Sequence, residues 1–441
     1  MDQPPNMQPI PGKQNVYTTL EERGLIDAVT SPHLRELLKE PITLYHGIDP
    51  SADSLHLGNL VGLIVLAHFQ RAGHKVIALV GGATGFIGDP SGRSEERTLL
   101  TPETLQVNLA GIRRDLMAVL GTGSLSASTL AASTLVLNNY DWFKDLTFID
   151  FLREVGKHFR MGSMLGKEMV RNRLSSSEGI SFTEFSYQLL QAYDFLYLYD
   201  TYNCSLELGG SDQWGNITAG IELVRKARGA TTYGLTWPLL LRSDGKKFGK
   251  SESGAVWLSK EKLSPYEFYQ YLVRVPDLDV IGLMQKLTFI PMEEIKEWER
   301  RMGEPSYPPN EAQKRLAAEL TELVHGEEAR ELAVRVTEGV SPGGRAKILT
   351  REALSELAQH MPTHDLPLHA VVDQKLIDLL VATHLLASKG EARRLIRGGG
   401  LSLNESLIDD EERVVRQEDL IEGELLLLRL GKKRAVLIRV G

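Results

Sequence analysis

Between residues 43 and 242, short apolar runs alternate with longer stretches in which apolar positions recur at helical spacing. The runs at 43–48, 76–81, 134–137, 205–208 and 235–241 predict strands, and 57–72, 101–120, 148–159, 183–199 and 214–228 predict helices. Alternation of this kind predicts an α/β fold, with a parallel sheet covered by helices on both faces. Ligands in such folds bind beyond the carboxyl ends of the strands, so the loops after each strand are where chemistry is expected. After residue 260 the pattern changes. Ser264 and Pro265 open a helix as cap and first position, and helical spacing without a convincing strand continues to about residue 336. GVSPGGR at 339–345 and the Pro-containing 361–368 read as a loose connection. From 374 to 441 the chain shows two short helices, a glycine triplet (Gly398, Gly399, Gly400) and then short strands. No repeat of fixed period is present, which argues against a solenoid.

Composition sharpens this in three ways. At 441 residues the chain is too long for one ordinary core, so two or three domains are expected. An apolar fraction of 42% with 24% charged residues is that of a soluble globular protein. Lys+Arg total 50 against 58 Asp+Glu, a net charge of -8, which argues against coating nucleic acid through bulk charge. Local basic patches remain open, since they act within about 10 Å. The single cysteine, Cys204, leaves no intrachain disulfide and no cysteine-based metal site, and permits a reducing compartment. No apolar run approaches the ~20 residues of a membrane helix. Residues 1–15, rich in Pro and Gln, lack a signal core or an Arg-rich stripe, so a cytoplasmic address is expected.

The first predicted strand runs into YHGIDPSADSLHLGNL at 45–60, where a polar turn leads to a helix opening at His56-Leu57-Gly58. Free N–H groups and the positive dipole end of that helix would face a phosphate, with Gly58 allowing close approach. An ordinary strand–turn–helix junction with an incidental His fits the same residues. At 244–251, DGKKFGKS sets lysines on both sides of Gly249, a loop able to close over a polyphosphate, or simply a solvated basic turn. Tyr187, Gln191 and Asp194 fall at i, i+4 and i+7, so they share one helix face that either meets solvent or lines a site. GATGFIG at 82–88, with Tyr140 and Lys144 four apart, imitates an NAD-dependent short-chain dehydrogenase. Pro90 directly after Asp89 counts against that reading, because it would disrupt the helix needed by the pyrophosphate. The preceding strand is also not the first of the sheet, and Tyr140 follows the glycines too soon.

Together, the two loops resemble the signature motifs of class I aminoacyl-tRNA synthetases, the His-x-Gly-His motif and the mobile lysine loop. The closer resemblance is to bacterial-type tyrosyl-tRNA synthetases and covers nearly the whole chain from about residue 20. It is carried in order by 45–60, 79–92 (LVGGATGFIGDPSG), 139–142, 155–159, 180–195 (ISFTEFSYQLLQAYDF), 209–219 (GGSDQWGNITA) and 248–254. The resemblance implies an N-terminal arm (1–31), a Rossmann-like parallel-sheet catalytic domain (32–260) and an α-helical anticodon-side domain (261–345). A linker (346–373) and a small α+β RNA-binding domain (374–441), similar to a ribosomal small-subunit protein, would follow.

It further implies activation of L-tyrosine by ATP to tyrosyl-adenylate and pyrophosphate, then transfer to the 3'-terminal adenosine of tRNA(Tyr), by a homodimer. On the resemblance, Asp194 accepts the phenolic proton and Tyr45 meets the same hydroxyl. Asp89, Tyr187 and Gln191 receive the α-ammonium, and Gln213 helps hold tyrosine. For ATP it assigns Gly47, Asp49, Gly58 and the ribose-binding Asp212, with Ser51, His56 and Asn59 at phosphate and ribose. Lys247, Lys250 and Ser251 match the loop that grips pyrophosphate, and Arg93 and Arg97 a second mobile loop. Asn59 stands where a second His is common, and Arg93 where Lys is frequent, keeping charge but changing geometry. Arg225 and Lys226 match positions near the acceptor stem. Lys389, Arg393, Arg394 and Arg397, with a second patch at Lys432, Lys433 and Arg434, match an RNA-binding module. ATP is then a substrate accompanied by Mg²⁺, with no tightly bound cofactor and no protein metal site. A synthetase-derived RNA-binding or splicing protein is the remaining alternative. The tryptophanyl branch is disfavoured by Tyr45 and Asp194, which suit a phenol.

Overall fold

The structure, a computed structural model, describes residues 15–91, 99–121, 134–175, 179–251, 254–340, 356–358, 361–404, 406–431 and 434–441. The chain divides into two units, one of residues up to 264 together with 274–324, the other of 265–273 together with 325–441.

The first unit is built on a six-stranded sheet in the order β1-β6-β5-β2-β3-β4. Its strands are β1 (Ala28–Val29), β2 (Thr43–Ile48), β3 (Lys75–Val80), β4 (Thr134–Asn138), β5 (Cys204–Gly210) and β6 (Tyr233–Trp237). β2 to β6 run parallel, and β1 closes one edge antiparallel to β6. The principal helices are α1 (Leu57–Arg71), α2 (Pro102–Gly121), α3 (Phe182–Tyr202) and α4 (Trp214–Arg228). α1 is apolar almost all round and correspondingly buried, the mark of a helix inside a core rather than on its surface. α3 starts where the Ser181 side chain accepts from the Glu184 N–H and stops at Asn203 in the left-handed conformation. Strand order reverses between β2 and β5, so their carboxyl ends diverge and leave a crevice. A small hairpin, β7 (Lys250–Ser251) with β8 (Gly254–Ala255), follows the sheet.

Two predicted elements end early. The strand expected over 235–241 stops at Trp237, because Pro238 has no N–H to give to the ladder. The helix expected over 148–159 splits into Phe148–Glu154 and a single turn, Gly156–His158, with Gly156 at the break.

Residues read as one helical domain, 261–345, fall in both units. Helices Asp277–Leu287 and Met292–Met302 lie in the first unit. Helix Pro265–Val273 packs with Glu327–Val340 in the second, where Gln270 Nε2 donates to Thr337 Oγ1 at 2.6 Å. The second unit's sheet is five-stranded, in the order β11-β10-β12-β13-β9, with β9 (Thr363–Leu366), β10 (Leu401–Leu403), β11 (Ser406–Leu407), β12 (Leu425–Leu430) and β13 (Arg434–Val440). The stretch 361–368, read as a loose connection, thus supplies a strand, β9, paired parallel to β13. Alternate residues of β12 and β13 serve two cores. Leu426, Leu428 and Ile438 pack with helices Leu376–Ala382 and Lys389–Arg397, while Leu425, Leu427 and Leu437 pack with Val336 and Leu357. No helix among the described residues is long and apolar enough to cross a membrane.

Candidate active site

The crevice at the reversal point opens as a cavity of about 330 Å³, walled by β2, β5, α3 and the loops after β3 and β6. Its deep end is polar in an apolar shell. Tyr45 of β2 is fully buried, and its hydroxyl faces the Glu207 carboxyl of β5 without a hydrogen bond of regular geometry. Asp194 of α3 accepts from Asn139 Nδ2 on one oxygen (3.0 Å) and from Trp142 Nε1 on the other (2.9 Å). Burial raises the Asp194 carboxyl above its usual range, and these two donors pull the other way. Tyr187 donates to Asp49 Oδ2 at 2.9 Å while Thr84 Oγ1 donates to Asp49 Oδ1 at 2.8 Å. Burial first, and then the Asp49 charge, push the Tyr187 hydroxyl well above the ordinary phenol range. Gln213 Nε2 donates to Asp89 Oδ2 at 2.7 Å, and Gln213 is itself held by Asn216 Nδ2 at 3.1 Å. A wall carrying Asp49, Asp89 and Asp194 suits a ligand with a cationic group and a hydroxyl.

The mouth is formed where the first turn of α1 meets the lysine loop. The His56 N–H donates to Asn59 Oδ1 at 3.1 Å, and Leu57 N–H to the Val256 carbonyl at 2.7 Å. A Cβ on Gly58 would come 3.3 Å from the Phe248 carbonyl oxygen, and one on Gly249 would come 2.6 Å from the Gly58 nitrogen. Glycine at 249, with φ +87°, lets these two backbones touch, and a side chain at 58 would crowd the same contact. Lys247 lies on the cavity wall with Asp212. Burial raises the Asp212 carboxyl, Asp89 adds to that, and Lys247 opposes it.

Of the residues singled out in the sequence, Tyr45, Gly47, Asp49, Ser51, Gly58, Asn59, Asp89, Tyr187, Gln191, Asp194, Asp212, Gln213 and Lys247 all line this one cavity. His56 is not on its wall; it caps α1 with its ring 6.4 Å from that of Trp257. The backbone of Lys250 and Ser251 forms β7, while their side chains, and all of Arg93, Arg97, Lys432 and Lys433, lie outside the described residues. Arg225 and Lys226 sit away from the cavity, near the end of α4, paired with Glu222 at 2.8 and 3.2 Å. In the second unit, Lys389 pairs with Asp378 (2.7 Å), and Arg393 and Arg397 share Glu411 (3.3 and 2.5 Å). Arg394 makes no ion pair among the described residues.

Glycines 81 and 82 have a different use from the one a dinucleotide would require. A Cβ on Gly81 would strike Asp49 Oδ1 at 2.2 Å, and one on Gly82 Asn138 Oδ1 at 2.0 Å. The helix that follows, Thr84–Ile87, is a single turn, too short to present an N-terminus to a pyrophosphate. Lys144 pairs with Asp141 at 3.8 Å. The dehydrogenase reading fails on these points.

Sequence reasoning gave no role to Asn139, Trp142, Thr84, His46 or Glu207. His46 is held neutral, burial lowering it to about 4, with Nδ1 3.0 Å from the Leu208 carbonyl and its ring edge-on to Trp237. Glu207 had a signal of its own, a lone carboxylate inside the otherwise apolar CSLELGG of β5.

A parallel sheet reversing at this crevice, with a glycine-opened helix start and a lysine loop meeting across it, is the catalytic architecture of class I aminoacyl-tRNA synthetases. The model described as "tRNA synthetases class I (W and Y)" matches residues 37–340, and the chain belongs to that family. Residues 353–438 match the Tyrosine--tRNA ligase SYY-like C-terminal domain. The chain is 55% identical over 426 residues to the tyrosine--tRNA ligase of Protochlamydia amoebophila, covering 97% of this chain and 99% of that one. It is 47% identical over 428 residues to the enzyme of that name from Bacillus caldotenax, covering 96% and 99%. Among solved structures, a C-terminally truncated Coccidioides posadasii mitochondrial tyrosyl-tRNA synthetase superposes with a TM-score of 0.63 at 34% identity, over 73% of this chain and 91% of that one. A Plasmodium falciparum tryptophanyl-tRNA synthetase, at 15% identity and a TM-score of 0.53 over 76% and 86%, shares the fold.

Proposed function

We propose that the chain activates L-tyrosine with ATP, releasing pyrophosphate, and transfers the tyrosyl group to the 3'-terminal adenosine of tRNA(Tyr). The observation that carries this reading is one cavity with Tyr45, Gln191 and Asp194 at its deep end and Gly58 and Lys247 at its mouth. Full-length relatives bearing the name tyrosine--tRNA ligase support it.

In this reading the phenol lies between Tyr45 and Asp194, and the α-ammonium lies among Asp89, Tyr187 and Gln191. Phenylalanine is rejected because it would leave buried polar groups unpaired. The tyrosine carboxylate attacks the α-phosphorus in line, and pyrophosphate leaves toward the α1 N-terminus and the lysine loop. Ser51, His56, Asn59 and Asp212 serve the nucleotide, and Lys247, Lys250, Ser251, Arg93 and Arg97 the charge that develops on it. Rate comes from positioning and from cations set where that charge appears, so no covalent enzyme intermediate is required. Mg²⁺ would enter with ATP and offset the charge of the phosphates.

Arg225 and Lys226, and the basic helix Lys389–Arg397, are assigned to tRNA. A homodimer is part of the proposal. It is supported by the exposure of Phe148, Ile149, Leu152, Met161, Leu165 and Phe182 within one segment of the first unit, a density unusual for a free surface. A cytoplasmic location completes it. The test is exchange of labelled pyrophosphate into ATP with each amino acid in turn. Exchange is expected with tyrosine alone; equal exchange with tryptophan or phenylalanine, or none with tyrosine, overturns the reading.

A further inference from the structure

The tyrosine reading leaves Glu207 without a task, although it is among the most buried carboxylates of the first unit. β2 and β5 run side by side with Tyr45 directly opposite Glu207 in the register, so the two side chains share one face of the sheet. Gln191 Nε2 donates to Glu207 Oε1 at 3.0 Å. Glu207 Oε2 has no hydrogen-bond partner of regular geometry among the described residues, and neither has the Tyr45 hydroxyl. The Tyr45 hydroxyl and the Glu207 carboxyl nevertheless lie within hydrogen-bonding reach of each other. The space around Oε2 exists because α4 presents Gly220, where a Cβ would stand 3.0 Å away.

Among the described residues, the elements packed around Glu207 bring it no counter-charge. β2 contributes Tyr45, α3 contributes Gln191 and Asp194, and β5 itself contributes Cys204. β6 places Gly234 opposite it and α4 places Gly220 beside it, neither with a side chain to titrate. Two acids therefore serve one pocket floor, differently supplied with donors. Asp194 receives an N–H on each oxygen, whereas Glu207 receives an N–H on one oxygen and faces, on the other, the Tyr45 hydroxyl, which can donate or accept. Both carboxyls are raised by burial, but N–H donors cannot reverse, so the contacts of Asp194 serve its ionised form, while Glu207 can hold a proton toward Tyr45. Burial pushes the Glu207 carboxyl up to about 7, against the pull of Gln191 and Tyr45.

We infer that Glu207 is a positioning residue for the phenol: protonated, it donates to the Tyr45 oxygen, so that the Tyr45 hydroxyl donates to the phenolic oxygen and the phenolic proton goes to Asp194. Each hydroxyl in that chain accepts once and donates once. Ionised Glu207 reverses the first link. Tyr45 then donates to Glu207, and the phenolic oxygen loses its donor. The inference rests on the tyrosine reading above.

The test measures KM for tyrosine in pyrophosphate exchange from about pH 6 to about pH 8, with kcat and KM for ATP alongside. For the unaltered protein KM for tyrosine rises about tenfold across that range, as expected for a single proton lost near neutrality, while kcat and KM for ATP stay level. Glu207→Gln donates to Tyr45 at every pH and still accepts from Gln191, so its KM stays low and flat. Tyr45→Phe has a raised KM, also flat. A level profile in the unaltered protein, or the same slope in Glu207→Gln or Tyr45→Phe, overturns the inference. Should Glu207→Gln fail to fold, the other two profiles decide. Absence of tyrosine-dependent exchange in the unaltered protein overturns the proposed function instead.

Discussion

Trp142 Nε1 donates to Asp194 Oδ1 at 2.9 Å, and its indole stacks on Tyr197 with centroids 4.4 Å apart and planes 16° from parallel. The ring is thus fixed by packing and the N–H is aimed by the ring. Trp142→Phe keeps most of the stack and removes the donor. A hydrogen bond to a charged group contributes about 1.5–3 kcal/mol, so KM for tyrosine should rise roughly ten- to a hundredfold. KM for ATP should stay within about twofold, since the change lies at the far end of the cavity. Asp194→Ala should be harsher on tyrosine with the same selectivity. Steady-state exchange kinetics with each substrate varied decide, and equal loss for tyrosine and ATP would contradict the role given to Asp194.

Gly111 of α2 touches the turn that leads to His56. A Cβ there would stand 1.8 Å from the Asp53 carbonyl oxygen, and backbone cannot swing aside as a flexible side chain can. The same turn is tied to α2 by Asp115, whose Oδ2 accepts from Ser54 Oγ (2.7 Å) and Leu55 N–H (2.8 Å). Gly111→Ala should therefore destabilise the first unit by about 1–3 kcal/mol, the cost of overpacking, despite the better helix propensity of alanine. A urea midpoint equal to that of the unaltered protein would show that the turn relaxes freely.

Much of this was legible in the sequence, and the gaps have physical causes. The β/α alternation, and the residues that line the cavity after β2 and β5, follow from local periodicity and from motifs on adjacent positions. β9 escaped because Thr363–Leu366 is polar and stands beside prolines; only pairing with β13, over seventy residues later, makes it a strand. Asn139 and Trp142 sat in a recognisable stretch, yet their aim at Asp194 is a tertiary fact with no trace in spacing. Glu207 was visible as a charge in an apolar strand, but its significance depends on which residue of β2 lies opposite.

Arg394 is the basic residue of helix Lys389–Arg397 that the described ion pairs leave unneutralised, whereas Arg393 and Arg397 face Glu411. If this helix meets tRNA phosphates, Arg394→Glu should weaken tyrosylation of tRNA and make its salt dependence shallower, by roughly one counterion for each phosphate the protein no longer neutralises. Pyrophosphate exchange, which needs no tRNA, should be unaffected. Charging that keeps its salt slope would remove this helix face from the RNA interface.

His68 of α1 is buried with its ring edge-on to Phe289, centroids 4.9 Å apart. Burial first, then the charges of Arg23 and Arg71, lower it to about 3, so it stays neutral in the folded state at neutral pH. The unfolded chain returns it to its ordinary value near 6.5. Between those two values the unfolded state binds a proton that the folded state refuses, and stability falls as pH falls through that window. The slope from this group is about 1.4 kcal/mol per pH unit. His68→Leu removes the group while filling much of its volume, so its stability relative to the unaltered protein should improve steadily from about pH 6.5 downward and level out above that. His46 and the carboxylates contribute to both proteins alike and cancel in the difference. All five tryptophans, Trp142, Trp214, Trp237, Trp257 and Trp298, belong to the first unit, so tryptophan fluorescence follows the unfolding of that unit without the second. Urea midpoints by this signal at several pH values give the difference directly. A constant difference across the acid range would mean that His68 takes up its proton in the folded state, and that the packing around Phe289, Arg23 and Arg71 opens to let it do so.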